Sequence, residues 1–523
     1  MFLPSFPDLG SAMVAGALGA AGISLRFLEG TWRWIEPLLA DPERLFHGAM
    51  KGLVPGPLRR KILAVARQGL SALEAAARRA KAVLRLDDPA SFFDEPSMRQ
   101  ALDWLSASFS LFEAEVRILG AESHSLVQSL VREILADEPD LVAFSLRGDE
   151  GPVMQAVCRT VTASGVPTVG GGWAALGAEV SDLERLRRRF GLTWFGAGPG
   201  SRLLPRLHEV LSSGGRGIET IPNLVGAGVT HPRLLAAEGP HMGEEDFGPF
   251  FGRPYMAPRP TLPIASNRGC YWRRCVFCPQ RYNRFPFQEE DPDVLARWVG
   301  RQRRDFGVAH FFFVDECIRP KFALRFSKAL ERVGETGCRF VAMARPEPAF
   351  DEEVLSAMAR VGFQGLLWGV ESGSDRVLRS MRKGTTTKSL LAVLERSQRA
   401  GLSNYAFLMI GFPGESEREA RGTLEFLRRN RALVDGAQLS RFVVYEASDV
   451  GQHPERYGVE LDPTAPRREI GAVQGRGDLL DRSLQDEIYA EFHRNYDSLT
   501  SGSTVSFPHH FATARSLLAF LYR

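Results

Sequence analysis

The sequence predicts an α/β protein: an N-terminal α/β unit carrying a long helical insertion, then a partial (β/α)6 barrel closed by a small, mostly helical cap. Three observations predict it. Residues 1–213 alternate short apolar runs with helical periodicity. From residue 262 onward, six apolar runs recur with a helical pattern after each, as a one-directional β/α repeat requires. Between them, residues 214–261 are rich in Gly and Pro with little periodicity and read as a linker.

In the N-terminal unit the candidate strands are residues 24–28, 141–146, 168–169 and 193–195. The stretch of about 31–134 is helical throughout and far longer than an ordinary crossover, so it is an insertion. Two glycine turns follow later strands, Gly170-Gly171-Gly172 and Gly196-Ala197-Gly198-Pro199-Gly200. Glycine there permits positive φ and close approach of a ligand to the carboxyl end of a sheet, although glycine turns are common in any α/β unit.

In the barrel, residues 262–446, the strands fall at 263–266, 310–314, 340–344, 365–368, 404–410 and 438–444. Helix starts are well marked. Asp291 precedes Pro292, Asp351 precedes Glu352 and Glu353, and Ser416 with Glu419 forms a capping box. Residues 447–523 are irregular and then helical, and form the cap.

Composition narrows the class. The 523 residues carry 65 basic and 62 acidic side chains, so a net charge of +3 gives no whole-chain pull toward nucleic acid. Six cysteines in a chain of this length do not make a disulfide framework, which points to a reducing cytoplasm. No apolar run reaches the ~20 residues of a membrane span, and residues 11–25 lack the basic leader of a signal peptide.

Half of the cysteine sits in one short segment, Cys270, Cys275 and Cys278 in Asn-Arg-Gly-Cys-Tyr-Trp-Arg-Arg-Cys-Val-Phe-Cys-Pro, after the first barrel strand. Three clustered thiolates hold soft metal and leave a site open; zinc would need a fourth ligand, and no second cysteine pair is at hand. The other strand ends carry Asp315, Glu316 and Cys317, then Arg345, then Glu371 and Ser372, then Gly411-Phe412-Pro413-Gly414-Glu415, and finally Tyr445 and Glu446. Active groups in parallel barrels come from these loops, so six polar strand ends define one mouth.

The cysteine loop, with Phe277 before its last cysteine, resembles the cluster loop of radical S-adenosylmethionine (SAM) enzymes. Trp368-Gly-Val-Glu-Ser-Gly-Ser-Asp375, Met381-Arg-Lys-Gly384 and Leu408-Met-Ile-Gly-Phe-Pro-Gly-Glu415 are similar to later segments of that family, in the same order. One departure stands out: Cys270 and Cys275 are separated by four residues where the usual spacing has three. The resemblance implies a 4Fe-4S cluster on Cys270, Cys275 and Cys278, whose open iron chelates SAM. It implies SAM contacts from Phe277, Arg345, Glu371, Ser372, Gly411, Phe412 and Pro413. Phe277 would lie near the adenine, Arg345 near the carboxylate, and Glu371 at the ribose or amino group. Cys317, Tyr445 and Glu446 are candidates for facing substrate; a packed thiol is the better reading of Cys317, and a rim hydrogen bond explains Tyr445 and Glu446 equally well.

The segments Glu138–Leu146, Pro167–Trp173 and Phe195–Ser201 are similar to the Rossmann-like cobalamin-binding domain that precedes many such barrels. This implies cobalamin contacts from Ser145, Arg147, Gly170, Gly171, Gly172, Trp173, Gly196 and Gly198. No Asp-x-His-x-x-Gly occurs, so no histidine would ligate cobalt from below. The whole then resembles a cobalamin-dependent radical SAM methyltransferase acting on an unactivated carbon of a small-molecule, peptide or lipid-like substrate. Its electron donor would be a flavodoxin or ferredoxin. The alternatives are a radical enzyme that cyclises, rearranges or oxidises without methylating, and a metal-bound scaffold or sensor. A tRNA methylthiotransferase would carry a second cysteine triplet near its N-terminus, where only Cys158 is found.

Overall fold

The computed structural model describes residues 9–26, 41–85, 94–146, 151–175, 178–236, 241–251, 257, 259–282, 286–335, 337–445, 447–460, 474–475 and 480–496. They divide into two compact units, one comprising Met1–Leu235 with Glu245–Arg259 and the other Ala236–Glu244 with Pro260–Asp497.

In the first unit the insertion is helical, as Pro42–Met50, Gly56–Ala66, Leu70–Arg85, Glu95–Leu119 and Ser125–Leu135. Asp41 caps the first of these by accepting from Arg44 N at 2.8 Å, and Asp94 caps the fourth. Gly48 lets the first helix lie against Leu111, because any Cβ there would strike the leucine side chain. The sheet is β1 (Val142–Ser145), β2 (Thr168–Gly171), β3 (Trp194–Gly196) and β4 (Leu224–Gly226), in that order. The first three strands are parallel and β4 is antiparallel to β3. Thr168 Oγ1 accepts the amide of Thr193 at 3.0 Å and fixes the register of β2 against the chain entering β3.

Two expectations for this unit are corrected. Ser24, Leu25 and Arg26 form no strand, and residues 27–28 lie outside the described set. The segment follows helix Leu9–Ala20, Leu25 is exposed, and Arg26 bonds Glu133 and Asp137, so no alternate apolar face is buried. Conversely, the expected linker contains β4, whose Leu224 and Val225 are fully buried. Its three residues are too few to show a period of two.

In the second unit six parallel strands stand in sequential order: β5 (Thr261–Ile264), β8 (His310–Phe313), β9 (Arg339–Ala344), β10 (Phe363–Glu371), β11 (Ser403–Ile410) and β12 (Gly436–Arg441). This is the expected partial barrel. Phe313, Phe340 and Phe363 on adjacent strands interlock, with Phe340 and Phe363 centroids 5.1 Å apart, and Phe326 of helix Pro320–Val333 meets them edge-on. The helix caps form as the sequence signals. Asp291 accepts from Asp293 N and Val294 N at 2.8 and 3.1 Å, Asp351 from Val354 N at 3.0 Å, and the Ser416–Glu419 box closes. A short antiparallel pair, β6 (Asn267–Arg268) with β7 (Gln288–Glu289), brackets the cysteine loop. Helix Arg482–Tyr496 reaches the last strand through Arg441, which bonds Asp486 and covers the Tyr489 ring at 4.4 Å.

Candidate active site at the open end of the barrel

Asp315 ties the ends of β5 and β8 together. Its buried carboxylate accepts the amides of Ser266 and Asn267 at 2.8 and 3.1 Å and the Ser266 hydroxyl. The Asn267 side chain then donates to the carbonyl of Cys317 at 3.0 Å. Burial drives the Asp315 pKa up to about 7, against these donors. Asp315 is thus a clamp at the root of the cysteine loop.

The loop hangs from that clamp. Val276 donates its amide to Met381 O at 3.1 Å and accepts from Val450 N at 3.2 Å, while its side chain is buried among Val377, Met381, Met409 and Phe412. The turn bearing Cys275 and Cys278 is therefore held from two sides. Phe277 packs partly buried against the same cluster. All three cysteines are partly accessible, and Cys270 Sγ lies 3.6 Å from Cys317 Sγ. The Cys317 thiol, more than the opposing burial, pulls the Cys270 pKa down to about 6. Burial pushes Cys275 and Cys278 up.

Within the four residues between Cys270 and Cys275, Arg273 takes a left-handed backbone, φ +48°, and Trp272 packs onto the segment after β10. Trp272 Nε1 donates to Arg382 O at 3.2 Å. Its ring occupies the space above Gly384, where a Cβ would come within 2.6 Å of Cη2. The Arg345 guanidinium stacks 3.9 Å from the ring centroid.

Arg345 and Glu371 converge on the same mouth. Arg345 is buried and donates through Nη2 to Lys383 O at 2.9 Å, but its Nε and Nη1 have no hydrogen-bond partner, Glu347 lying 3.9 Å from Nη1. Two buried, unpartnered guanidinium donors fit acceptor oxygens from a ligand, each donor reaching its own acceptor because the Nε hydrogen and Nη1 lie on opposite sides of the Nε–Cζ bond. Glu371 stands at φ +67°, a strained conformation for a side-chain-bearing residue, and accepts from Lys383 Nζ at 2.7 Å. Gly369 gives that ion pair room, since a Cβ would meet Nζ at 2.7 Å. Burial works to depress the Lys383 pKa, yet Glu371 and Cys275 outweigh it and hold it raised.

The other barrel candidates separate by environment. Ser372 is fully buried and accepts from Ser374 N at 3.1 Å, so it shapes the turn after β10. Gly411 takes φ +82° and donates its amide to Glu415 at 2.6 Å. Phe412 is core, edge-on to Phe442, and Pro413 is buried. Gln485 closes over Gly411, within 3.0 Å of where a Cβ would stand. Tyr445 is exposed at the rim; Glu446 lies outside the described residues. Sequence places Asp315 at the mouth without its clamping role, and gives Lys383 and Trp272 no role; only the charge of Lys383 in a segment that meets three thiols could single it out.

In the N-terminal unit the glycines divide. A Cβ on Gly170 would strike Leu192 and Phe195, and one on Gly196 would strike Leu203, so both are demanded by core packing. Gly171 meets nothing closer than Gly196 O at 3.5 Å and lines an open strand end. Gly172 and Gly198 take positive φ, Gly172 closing on the Leu146 backbone and Ser145 Oγ. Trp173 opens a single 3-10 turn, and Arg147 lies outside the described residues.

A family model agrees with the geometry. Residues 264–427 match the Radical SAM superfamily, and the barrel belongs to it. Its three cysteines suit the iron–sulfur cluster, and the unpartnered Nε and Nη1 of Arg345 suit an acceptor oxygen of SAM. No set of three or more His, Cys, Asp or Glu side chains among the described residues closes on a single-ion position.

Two sets of known proteins are similar to the chain. The tRNA-2-methylthio-N(6)-dimethylallyladenosine synthase of Mycobacterium bovis (strain ATCC BAA-935 / AF2122/97) is 30% identical over 252 residues, covering 44% of this chain and 45% of that protein. That of Mycolicibacterium paratuberculosis is 31% identical over 246 residues, with 43% and 44% covered. The chain spans less than half the length of these relatives. Among solved structures, the radical SAM methyltransferase TsrM from Kitasatospora setae, with cobalamin and a 4Fe-4S cluster bound, superposes with a TM-score of 0.54 at 16% identity, covering 76% of this chain and 90% of that one. The cobalamin-dependent radical SAM enzyme OxsB, with aqua-cobalamin bound, gives 0.54 at 15% identity, covering 70% and 59%. These show a shared fold. No helix among the described residues is long and apolar enough to cross a membrane.

Proposed function

We propose that the chain is a cobalamin-dependent radical SAM methyltransferase that methylates an unactivated carbon. The observation that carries it is the set at one barrel mouth: three accessible cysteines, an arginine with two buried unpartnered donors, and a glutamate held by a buried lysine. When bound, the cluster would supply the electron that cleaves SAM, and cobalamin would carry a transferable methyl group. The chain's own work is placement. Asp315 and Val276 fix the cysteine loop, Trp272 stacks on the Arg345 guanidinium and holds it at the mouth, and Lys383 holds Glu371 in its strained conformation. For cobalamin, the N-terminal sheet offers the open strand end at Gly171, and the fold matches those of TsrM and OxsB support the reading.

The 30% relatives favour a second reading, tRNA methylthiolation, and weigh against the expectation of no nucleic-acid partner, which rests on net charge alone. Against it, the N-terminal unit offers only Cys158, fully buried in a hydrophobic cluster. The substrate class, whether natural product, peptide or lipid-like, and a flavodoxin- or ferredoxin-type donor belong to the proposal. Protein reconstituted anaerobically with iron, sulfide and hydroxocobalamin tests it. Retained corrinoid, and deuterium passing from methyl-labelled SAM to substrate, support the reading. Iron without corrinoid moves the assignment to a non-methylating radical enzyme.

A further inference from the structure

Cys317 lies outside the cysteine triplet, and the reading above leaves it without a task. It is buried at 3% exposure, in the segment that follows β8, while Cys270 on the neighbouring loop is partly accessible. Their Sγ atoms are 3.6 Å apart. The approach is built rather than incidental. The Asp315 carboxylate grips Ser266 and Asn267, just ahead of Cys270, and the Asn267 amide grips the carbonyl of Cys317 at 3.0 Å. One polar clamp thus fixes both backbones and holds the two thiols together. A disulfide needs the sulfurs to close by only about 1.5 Å.

We propose that Cys270 and Cys317 form a reversible disulfide in the cluster-free protein, with Cys317 as the resolving thiol. The oxidant is a peroxide. The thiolate of the accessible Cys270 attacks its O–O bond, giving a sulfenic acid and releasing the first oxygen as water. Cys317 sulfur then displaces the hydroxyl from the Cys270 sulfur, so the S–S bond forms and a second water leaves. Two thiols lose two protons and two electrons, and one peroxide becomes two waters. The bond removes one of three cluster ligands, so oxidised protein cannot load a cluster until a thiol reductant restores it. It also keeps Cys270 from the irreversible sulfinic state while the site is empty.

The inference rests on Cys270 being a cluster ligand, and the test separates the two. Metal-free protein is treated with stoichiometric hydrogen peroxide, alkylated and mapped by mass spectrometry under non-reducing conditions. The expected product is the Cys270–Cys317 peptide pair, removed by dithiothreitol. A disulfide within Cys270, Cys275 and Cys278, or sulfinic acid at Cys270, overturns the inference. In parallel, iron uptake is measured on untreated protein and on protein exposed to a several-fold excess of peroxide, enough for the second equivalent that sulfinic acid requires. Oxidation should cut uptake about tenfold in the wild type, reversibly by dithiothreitol; in Cys317→Ser the loss should persist after dithiothreitol, because a second peroxide takes the Cys270 sulfenic acid on to sulfinic acid. Full recovery by Cys317→Ser contradicts the protective role. Mapping of the wild type needs no variant to fold, and poor iron uptake by untreated wild type would count against the cluster reading instead.

Discussion

Replacing Lys383 by methionine probes the arrangement behind the cysteines. Lys383 and Glu371 keep only 6% and 14% of their side chains exposed, and Nζ is 2.7 Å from Oε1. Methionine retains the stem but leaves a carboxylate facing a site it was not built to face alone. Removing one partner of a buried pair costs about 3–5 kcal/mol, and the residual exposure of Glu371 places this pair at about 3. For a unit of this size that is a fall in unfolding midpoint of roughly 6–12 °C. Thermal unfolding of the metal-free protein, followed by near-ultraviolet circular dichroism, reads it. Lys383→Met/Glu371→Gln should recover most of the loss, because the stranded charge is gone. A single variant within about 1 kcal/mol of wild type, or a double variant as unstable as the single, would refute the claim that the pair is a coupled buried unit.

Three further outcomes follow. Gly384→Ala adds a Cβ 2.6 Å from Trp272 Cη2 at a residue of φ +72°, and should cost about 2–4 kcal/mol by denaturant unfolding, part of which Trp272→Ala restores. Glu415 is buried, and its pKa is raised to about 7, above its unfolded value. A carboxylate so raised favours the fold below its unfolded pKa, and that contribution is lost as pH climbs through about 7. The wild-type midpoint should therefore fall between pH 5 and 8 relative to Glu415→Gln, and parallel pH profiles would contradict the shift. Trp272→Ala should weaken SAM binding by about tenfold in calorimetry on cluster-loaded protein while leaving iron content unchanged, since it frees Arg345 without touching a thiol.

What the sequence revealed depended on range. The inner barrel strands were legible because a buried parallel strand is a continuous apolar run between helix signals, as Phe311–Phe313 and Leu366–Trp368 illustrate, whereas the edge strand Gly436–Arg441 is mostly half-buried and polar and lies two to three residues before its expected place at 438–444. The cysteines were legible because their spacing is local. Unreadable were features made by distant residues meeting. Asp315 looked like a loop acid until the amides of Ser266 and Asn267 were seen to enclose it. The segment between Cys270 and Cys275 made sense only once Trp272 was placed between Gly384 and Arg345. Nor does sequence disclose that Glu371 sits at positive φ, or that Leu224 and Val225 supply a strand from an apparent linker. Propensity misled at Ser24–Arg26, where β-compatible residues have no sheet to join.

The central claim is an iron–sulfur site with three protein ligands and one iron left for SAM. Electron paramagnetic resonance of the anaerobically reconstituted, reduced protein, with and without SAM, tests it most directly, alongside iron and sulfide analysis. The account predicts about four irons per chain and a signal whose g values move when SAM is added. A signal indifferent to SAM, or zinc in place of iron, would contradict it.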